Sequence, residues 1–493
     1  MPLDESDSAE LLGSNYLSQS PAISLPLVLA VLMSCLSSVQ YGYHMSELNA
    51  PESVYTCRTP ITGPHEDYAK SWFGRHGYKS CIPLDVNQIG IVTSIFTIGG
   101  LLGSLYAGQL SENIGRKKMF TANSLVFAVG SLLESLSNTY GQLLCGRLLS
   151  GIGAGSGIVV SALYINEVSP VELRGLLGSM NQIFINVGIL LTQLLAIGWT
   201  NDEQWRYILV TAFVIAIVNF VASNFALESP KWLAIESSNS REALAVLFQL
   251  RNGDLNRCQE EITSWEREKL SRERYIAENP EQANLSLKSY LTSSKYSRSR
   301  RNVTFIMVGQ QFCGINSIIF YGVKVLVSLF PTGALAINCL ISLLNLTVTG
   351  TASLFMDRWG RKPLLLTSAT LMGISSVAMA VGIINSVAVL SVLATFLYVG
   401  SFAVAIGPIP FLIVSEISQQ EVRGIAQSWG TAANWIATFA IGYLFPIVNE
   451  YIGGYVYFIF AFMCFLFGYY TYLYIPETKG KGTYKEVWGD EIR

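Results

Sequence analysis

Charged residues are scarce in this sequence. Of its 493 residues, 13% are charged and 51% are hydrophobic, whereas a soluble domain usually has about 25% charged residues. Apolar runs of roughly 20 residues recur, and each is long enough to cross a bilayer as a helix. The composition excludes a soluble globular protein and predicts a polytopic helical membrane protein. A net charge of −2 gives no indication of a nucleic-acid partner, and we expect none.

Histidines and closely spaced cysteines are also scarce. The sequence has three histidines and eight cysteines, without the C-x-x-C motif or histidine cluster that would indicate a metal site. Cys57 and Cys81 share one polar loop, and they would pair if that loop faces an oxidising compartment. The sequence also has no evident nucleophile–base pair. We therefore expect no metal, no cofactor and no enzyme activity.

The first 21 residues lack the basic segment and cleavage site of a signal peptide. They contain Asp7-Ser-Ala-Glu-Leu11-Leu12, which looks like an acidic dileucine sorting signal for lysosomes or vacuoles. So short a pattern also arises by chance. The resulting hypothesis is a sorting adaptor that binds Leu11 and Leu12, which favours a vacuolar or lysosomal membrane over the plasma membrane.

Two sets of six apolar runs flank a polar segment. We predict helices at 22–44, 86–110, 119–137, 141–165, 176–198 and 205–227, and at 302–330, 332–356, 363–385, 388–415, 424–447 and 452–475. The polar segment carries 13 of the 32 lysines and arginines, and its amphipathic patterns indicate either short helices or a solvated loop. The predicted division is a tail at 1–21, a half at 22–227, a linker at 228–301, a half at 302–475 and a tail at 476–493.

Basic residues predict the orientation. They follow the second, fourth, sixth, eighth and tenth predicted helices, whereas the connections at 138–141, 331–333, 385–388 and 448–452 contain none. By the positive-inside rule, the basic connections and both termini are cytoplasmic. The loop at 45–85 is an exception because it has four basic residues. It contains no N-x-S/T acceptor, so we predict no glycan on it.

An internal repeat indicates the architecture. The segment 108–117 recurs at 353–362, and the segment 167–175 recurs at 416–424. Each half thus has an acid and an arginine after its second helix and again after its fourth. Two six-helix halves related by a parallel repeat are the plan of major facilitator transporters, with a solute site at mid-membrane. We predict an all-α membrane protein with twelve transmembrane helices in two pseudo-repeated halves and a cytoplasmic helical linker.

The most informative stretch runs from Gln310 to Tyr321, QQFCGINSIIFY. Its amides lie near the start of an apolar run, where hydrocarbon offers no hydrogen-bonding partner and an unpaired amide is costly. Such groups either face a polar cavity or hold helices together. If they face a cavity, these uncharged donors and acceptors suit a neutral, hydroxyl-rich solute.

Seven motifs along the chain carry a family resemblance. They are Gln40-Tyr-Gly-Tyr43, the paired Gly-Arg-Lys loops, Gly146-Arg147, Asn166-Glu-Val-Ser-Pro170, Glu228-Ser-Pro-Lys-Trp232, Gln310-Gln-Phe-Cys-Gly-Ile-Asn316 and Pro476-Glu-Thr-Lys-Gly480. In this order they resemble the sugar porter family of the major facilitator superfamily. The resemblance implies a monomeric carrier that moves a hexose-like monosaccharide or a polyol by alternating access, as a facilitator or with protons. A non-transporting sensor is the alternative, although sensors of the family usually have a long cytoplasmic tail.

The resemblance also implies a sugar site. In the family, amides of helices 5, 7, 8 and 11 hydrogen-bond the sugar, and a carboxamide matches both roles of a hydroxyl. An aromatic side chain that follows Pro-Ile-Pro stacks on the ring, and here that residue is phenylalanine instead of tryptophan. Ala403 also replaces a frequent glutamate, so the substrate is either not glucose or weakly bound. The expected substrate-binding residues are Gln182, Gln310, Gln311, Asn316, Asn345, Asn434 and Phe411.

His44 stands where proton-coupled members of the family have aspartate and facilitators have asparagine. An unperturbed imidazole titrates near pH ~6.5, so His44 is a candidate for proton coupling. A neutral histidine that only forms hydrogen bonds is the alternative. Glu47 either lies at the outer interface or pairs with His44 at i, i+3.

Repeated acids and arginines indicate a cytoplasmic gate. In the family these pairs close the cytoplasmic side when the site faces outward, and each partly exposed pair contributes only about 0–1 kcal/mol. A network of that strength suits a switch between two states. The expected gate residues are Glu112, Arg116, Arg147, Glu167 and Arg174 in the first half and Asp357, Arg361, Glu416 and Arg423 in the second.

Overall fold

The computed structural model describes residues 23–58, 66–237, 239–278, 286–327, 333–481 and 484–489. Within these ranges the chain is helical and forms no β-strand. The dileucine at Leu11 and Leu12 lies outside the described residues.

In the described part of the chain, two sets of six helices flank the linker. The first set is α1 (Leu25–Ser46), α2 (Val86–Ile114), α3 (Arg116–Ser135), α4 (Tyr140–Val168), α5 (Arg174–Trp199) and α6 (Trp205–Asn224). The second set is α7 (Ser297–Phe312 and Ile315–Val327), α8 (Ala334–Trp359), α9 (Arg361–Ile384), α10 (Ala388–Ser401, a π-helical turn Phe402–Ile406, and Ile409–Glu416), α11 (Arg423–Ile452) and α12 (Val456–Tyr474).

Eleven of these helices are long and apolar enough to cross a membrane. Ten described stretches are long and apolar enough to span a membrane, and one of them, Arg423–Tyr474, contains both α11 and α12. The twelfth helix, α3, is less apolar because it begins with three consecutive basic residues. The predicted all-α architecture of two six-helix halves is confirmed.

Glycines allow the helices of the first half to approach closely. A Cβ atom on Gly151 would lie 2.0 Å from the Phe96 carbonyl oxygen, and one on Gly155 would lie 1.9 Å from that of Gly100. These contacts join α4 to α2. Small residues at such crossings let backbones pack directly, which is the usual basis of helix association in membranes.

Helix contacts also join the two halves. α2 packs on α11 and α5 packs on α8. At the first crossing, the indole of Trp435 lies 2.6 Å from the position of a Cβ on Gly100. A side chain larger than hydrogen at Gly100 would therefore displace this aromatic ring from the centre of the molecule.

One carboxylate after each half caps a helix. Gly115 and Gly360 precede α3 and α9 with φ of 91° and 87°, a conformation that suits glycine. Glu228 accepts hydrogen bonds from the N–H groups of Arg116 and Lys117 at 2.9 and 3.2 Å. Glu477 caps α9 in the same way. The pseudo-repeat thus includes the segments that follow the last helix of each half.

Burial and hydrogen bonding act differently on these two capping acids. Burial raises the pKa of Glu228 above its ordinary value, even though backbone N–H groups oppose the shift. Burial also acts to raise the pKa of Glu477, but four backbone N–H donors together outweigh it, so that this pKa is lowered. Hydrogen bonds to a carboxylate favour its charged form.

The segment between the halves contains three short helices, as expected, and one helix of 24 residues. They are Pro230–Ile235, Ser240–Leu250, Leu255–Glu278 and Leu287–Thr292. Ala243, Leu247 and Leu250 are buried and pack in one cluster with Ile262 and Trp265. We call the side of the molecule that carries these helices the linker face.

The opposite side carries a disulfide bond, and we call it the disulfide face. Cys57 and Cys81 are joined, with their Cα atoms 5.3 Å apart. The indole N–H of Trp205 donates to the Ser80 carbonyl at 2.8 Å, so the loop is also attached to the start of α6. The conditional pairing suggested by the sequence is therefore present in the structure.

Candidate functional site

The two segments of α7 are separated by a glycine. Gly314 has φ of 93°, and the Phe460 ring lies 2.5 Å from the position that a Cβ would occupy. Backbone conformation and available space both require glycine here. Gln310 and Gln311 end the first segment and Asn316 begins the second, and all three side chains are buried.

A hydrogen-bonded amide network surrounds this break. Asn316 donates from Nδ2 to Oε1 of Gln311 at 2.5 Å, and Gln311 donates from Nε2 to Oδ1 of Asn434 at 3.2 Å. The network therefore joins α7 to α11. Oε1 of Gln311 and Nδ2 of Asn316 each have capacity for one further hydrogen bond beyond these contacts.

Gln310 has a different role in the network. It donates from Nε2 to the carbonyl oxygens of Ile406 and Gly407 at 2.7 and 2.8 Å. Pro410 has no N–H, so it cannot donate to the Ile406 carbonyl as a helical residue would. Oε1 of Gln310 accepts from Asn434 at 2.8 Å and from Gln311 at 3.5 Å. Gln310 thus uses its four hydrogen-bonding valences inside the protein and stabilises the break in α10.

A second amide group joins α5 to α8. Asn186 donates from Nδ2 to Oγ1 of Thr349 at 2.9 Å, and Asn345 donates to Oδ1 of Asn186 at 3.5 Å. Gln182 lies one turn before Asn186 and is half-buried. A small cavity of about 20 Å³ lies beside Asn345 and is also lined by Gln193 and Asn338.

Aromatic rings from both halves lie near these amides. Tyr41 of α1 stacks on Phe96 with ring centroids 6.1 Å apart and meets Trp435 edge-on at 5.9 Å. Trp435 directly follows Asn434 in the sequence. Sequence reasoning did not select these rings, although a tryptophan beside a predicted ligand was an available signal.

Phe411 lies on the opposite side of α10 from the buried Ile409 and is 40% exposed. Its stacking on the sugar ring stays a prediction.

Four ionisable side chains meet near the disulfide face. Oε1 of Glu47 lies 2.7 Å from Nδ1 of His44 and 2.9 Å from Nη1 of Arg147. Glu134 of α3 lies 3.9 Å from the same guanidinium. Of the two alternatives for Glu47, the i, i+3 pair with His44 is therefore present in the structure. The sequence analysis missed Glu134, although a lone acid within a predicted membrane helix was an available signal.

Arg147 is a correction to the predicted gate. α4 begins at Tyr140 on the disulfide face, so Arg147 is only seven residues from that end. Glu167 is 20 residues further along α4, which at 1.5 Å per residue is about 30 Å. Arg147 is consequently buried beside Glu47 and takes no part in the contacts described at the linker face.

Two of the predicted gate pairs form at the linker face. Arg116 contacts Glu167 at 2.7 Å, and Arg361 contacts Glu416 at 3.2 Å. Both pairs lie within a single half. Among the other expected gate residues, Glu112 is exposed, Arg174 is half-buried at the start of α5, and Arg423 begins α11. The side chain of Asp357 lies outside the described residues.

Contacts at the disulfide face connect the two halves directly. Asn49 donates to the Ile319 carbonyl at 2.9 Å and accepts from the Val323 N–H at 3.1 Å. Glu52 pairs with Lys324 at 2.8 Å. These bonds fasten the end of α1 to the second segment of α7, so this face is closed between the halves.

A larger cavity of about 380 Å³ lies at the linker face. Its lining is rich in charge and includes Glu112, Arg116, Glu167, Lys231 and Trp232. Charged walls suit a neutral hydroxylated solute less well than the central amides do, because charged groups are strongly hydrated. The amides therefore remain the candidate site.

The fold and these buried amides define a polytopic helical membrane protein with a polar centre between two pseudo-repeated halves. Residues 30–488 match the sugar (and other) transporter family. The chain is 46% identical over 470 residues to a probable metabolite transport protein of Saccharomyces cerevisiae, covering 95% of this chain and 96% of that one. It is 40% identical to vacuolar protein sorting-associated protein 73 of the same yeast, with 93% and 95% covered.

Human facilitated glucose transporter member 4 of solute carrier family 2 is 30% identical, with 92% of this chain and 89% of that chain covered. Among solved structures, the xylose transporter XylE from E. coli in a partially occluded inward-open conformation gives a TM-score of 0.73 at 22% identity. That match covers 92% of this chain and 100% of the other, and it shows a shared fold.

The chain belongs to the sugar porter family of the major facilitator superfamily. Because this is a family of transporters, the prediction that the chain is not an enzyme is confirmed.

Replacement of Asn186 by valine tests the amide contact between α5 and α8. Loss of its amide removes the buried donor to Thr349 and the buried acceptor of Asn345, which then keep only their contact with each other at 3.3 Å. We therefore expect the free energy of unfolding to fall by about 1–3 kcal/mol. Thermal denaturation of the purified protein in detergent measures the change. Thr347→Val is the control, because Thr347 is exposed and bonds only to carbonyls of its own helix. Equal stability of the two variants would contradict this assignment.

Proposed function

We propose that this transporter carries a neutral monosaccharide or polyol by alternating access. The amide network of Gln311, Asn316 and Asn434 is the observation that carries the proposal. These groups are uncharged and buried at a helix break, and they keep hydrogen-bonding capacity that a hydroxyl could use. Gln182 and Asn345 would complete the site from α5 and α8, and Gln310 would support it by holding α10.

The nature of the relatives supports this substrate class. A human relative is named a facilitated glucose transporter, and a structural neighbour is described as a proton:xylose symporter. Hexoses and pentoses share a ring of neutral hydroxyls, so one set of amides suits either. Trp435, Tyr41 and Phe411 are the aromatic candidates for stacking on the apolar face of such a ring.

We propose further that the described conformation faces the cytoplasm. The basic linker and the basic connections argue that the linker face is cytoplasmic. The disulfide face is closed by Asn49 and by the pair of Glu52 and Lys324. The binding centre would therefore open to the linker side.

An endomembrane location is the favoured hypothesis for this carrier. A relative at 40% identity is named for vacuolar protein sorting, and the N-terminal tail contains the acidic dileucine. Double replacement of Leu11 and Leu12 by alanine should move a fluorescently tagged protein to the plasma membrane. Leu17→Ala in the same tail is the control. Unchanged placement of the double variant would remove the motif from the hypothesis.

Uptake of labelled hexoses into proteoliposomes tests the proposed substrate class. Asn345→Leu removes an amide at the centre, so we expect kcat/KM for uptake to fall about tenfold, which corresponds to the roughly 1.4 kcal/mol of one lost hydrogen bond. Thr347→Val, on the exposed side of α8, should leave uptake unchanged. Binding of sugar without uptake by correctly inserted protein would instead support a sensor.

A thiol-labelling experiment tests the proposed gate. In a background with Cys145→Ser, Ser179→Cys near the start of α5 is labelled by an impermeant reagent from the linker side. The double variant E167Q/E416Q should be labelled up to about thirtyfold faster, because the two pairs that it removes would each contribute about 0–1 kcal/mol to the closed linker face. Glu268→Gln removes a surface pair with Lys231 and serves as the control. Identical labelling rates would refute the gate.

A further inference from the structure

The four ionisable side chains at the disulfide face form a closed, dry cluster, which we call the acid cluster. His44, Glu47, Glu134 and Arg147 are each no more than 1% exposed. Phe127 stacks on the imidazole at 5.4 Å, and Phe96 covers the guanidinium at 4.5 Å. Charges in such surroundings must compensate one another, because burial of an unpaired charge is strongly unfavourable.

Hydrogen bonds assign a neutral form to His44. Gln40 donates from Nε2 to the Ala212 carbonyl at 2.8 Å, which fixes the orientation of its amide. The same NH2 group lies 3.3 Å from Nε2 of His44, and an NH2 group cannot accept a hydrogen bond. Nε2 is therefore the acceptor in this contact, and it can also accept from the hydroxyl of Ser131 at 3.2 Å. Nδ1 then carries the proton and donates to Glu47 at 2.7 Å. The imidazole is thus neutral, and both of its ring nitrogens form hydrogen bonds.

The charges that remain do not balance without an added proton. Arg147 contributes one positive charge, whereas Glu47 and Glu134 would contribute two negative charges. A ring nitrogen of His44 and one carboxylate oxygen from each acid lie within 4.8 Å of one another. Two carboxylates sharing one site cannot both ionise readily, so one proton on the pair makes the acid cluster neutral.

Unpartnered oxygens show where that proton belongs. Oε1 of Glu134 accepts from Ser150 at 2.6 Å, and Oε1 of Glu47 accepts from His44 and Arg147. The buried Oε2 atoms of both acids have no hydrogen-bond partner among the described residues. A proton on one acid would supply the missing donor for the pair.

The other titratable side chains near the cluster do not supply this charge. Tyr43, Tyr55 and Tyr321 are the phenols within electrostatic range of Glu47 or Arg147, and a phenol is neutral at physiological pH. Glu52 is already paired with Lys324. A metal ion is a poorer occupant than a proton, because it would share Oε1 of Glu47 with the positively charged guanidinium.

We propose that Glu47 and Glu134 share one proton, with Arg147 as the fixed counter-charge, and that this proton exchanges when the disulfide face opens. The exchange step rests on the proposed carrier function, whereas the shared proton does not. Loss of the proton leaves a net negative charge that requires water, so deprotonation favours the open disulfide face. Proton coupling would then reside in the two carboxyl groups and not in His44.

Infrared difference spectroscopy of the full chain in lipid tests the shared proton directly. The wild type at neutral pH should show the carbonyl stretch of a protonated carboxyl, with the expected shift in heavy water. Glu134→Gln and Glu47→Gln should each abolish this band, since the remaining acid is neutralised by Arg147. Glu134→Gln keeps an acceptor for Ser150 and so preserves packing. His44→Gln and the surface variant Glu203→Gln should retain the band.

Two spectroscopic outcomes would overturn the proposal. One is absence of the band from the wild type, and the other is its persistence in both acid variants. In the first case, an imidazolium band of the wild type that is lost in His44→Gln would assign the proton to the imidazole.

Sugar uptake at acidic and neutral external pH tests the exchange step. A single exchangeable proton limits the change in rate to about tenfold per pH unit, and Glu134→Gln should remove this dependence while uptake continues. A pH dependence equal to that of the wild type would refute exchange at Glu134. If the wild type carries no sugar at any pH, the carrier proposal fails, and the infrared band still decides whether the proton is shared.

Discussion

The absence of hydrogen-bonding partners in hydrocarbon is the constraint on which the rest of this structure depends. A buried amide or acid in a membrane must find its partner on another helix. Gln310 donates to the Ile406 carbonyl that Pro410 cannot pair with, and also to the Gly407 carbonyl of α10. Asn186 donates to Thr349 across the two halves. Polar side chains in the apolar runs therefore converge, and their convergence creates a polar centre that a hydroxylated solute can enter.

Comparison of the two halves separates supporting features from specialised ones. The carboxylate caps at Glu228 and Glu477 occur in both halves, as do the ion pairs of Arg116 and Arg361. The amide network lies chiefly in the second half, and the acid cluster lies wholly in the first. The repeated features hold helix ends and form ion pairs at the linker face, whereas the features present once are those to which we assign recognition in the proposed function. A duplicated chain can diversify at such positions without loss of its frame.

Much of this arrangement follows from sequence periodicity, but the depth at which a residue lies along its helix does not. Apolar runs predicted the helices, and the family resemblance predicted the amide-bearing residues of helices 5, 7, 8 and 11. Arg147 was misplaced because its motif resembles other gate motifs, while the depth of a residue depends on where its helix begins. Glu134 was missed because a lone acid indicates nothing until a guanidinium from another helix is seen beside it. Contacts between residues far apart in the sequence could be identified only from the structure.

The second segment of α7 connects these parts mechanically. It begins at the amide break, where Asn316 contacts Gln311, and it ends at the closed face, where Lys324 pairs with Glu52. Helical hydrogen bonds make this short segment rigid, so a shift at its amide end moves its closure end. Glu52 also follows Glu47 by only five residues. The amide network, the closed disulfide face and the acid cluster are thus joined through two short pieces of chain. In the proposed carrier, a change at one of them would alter the free energy of the others.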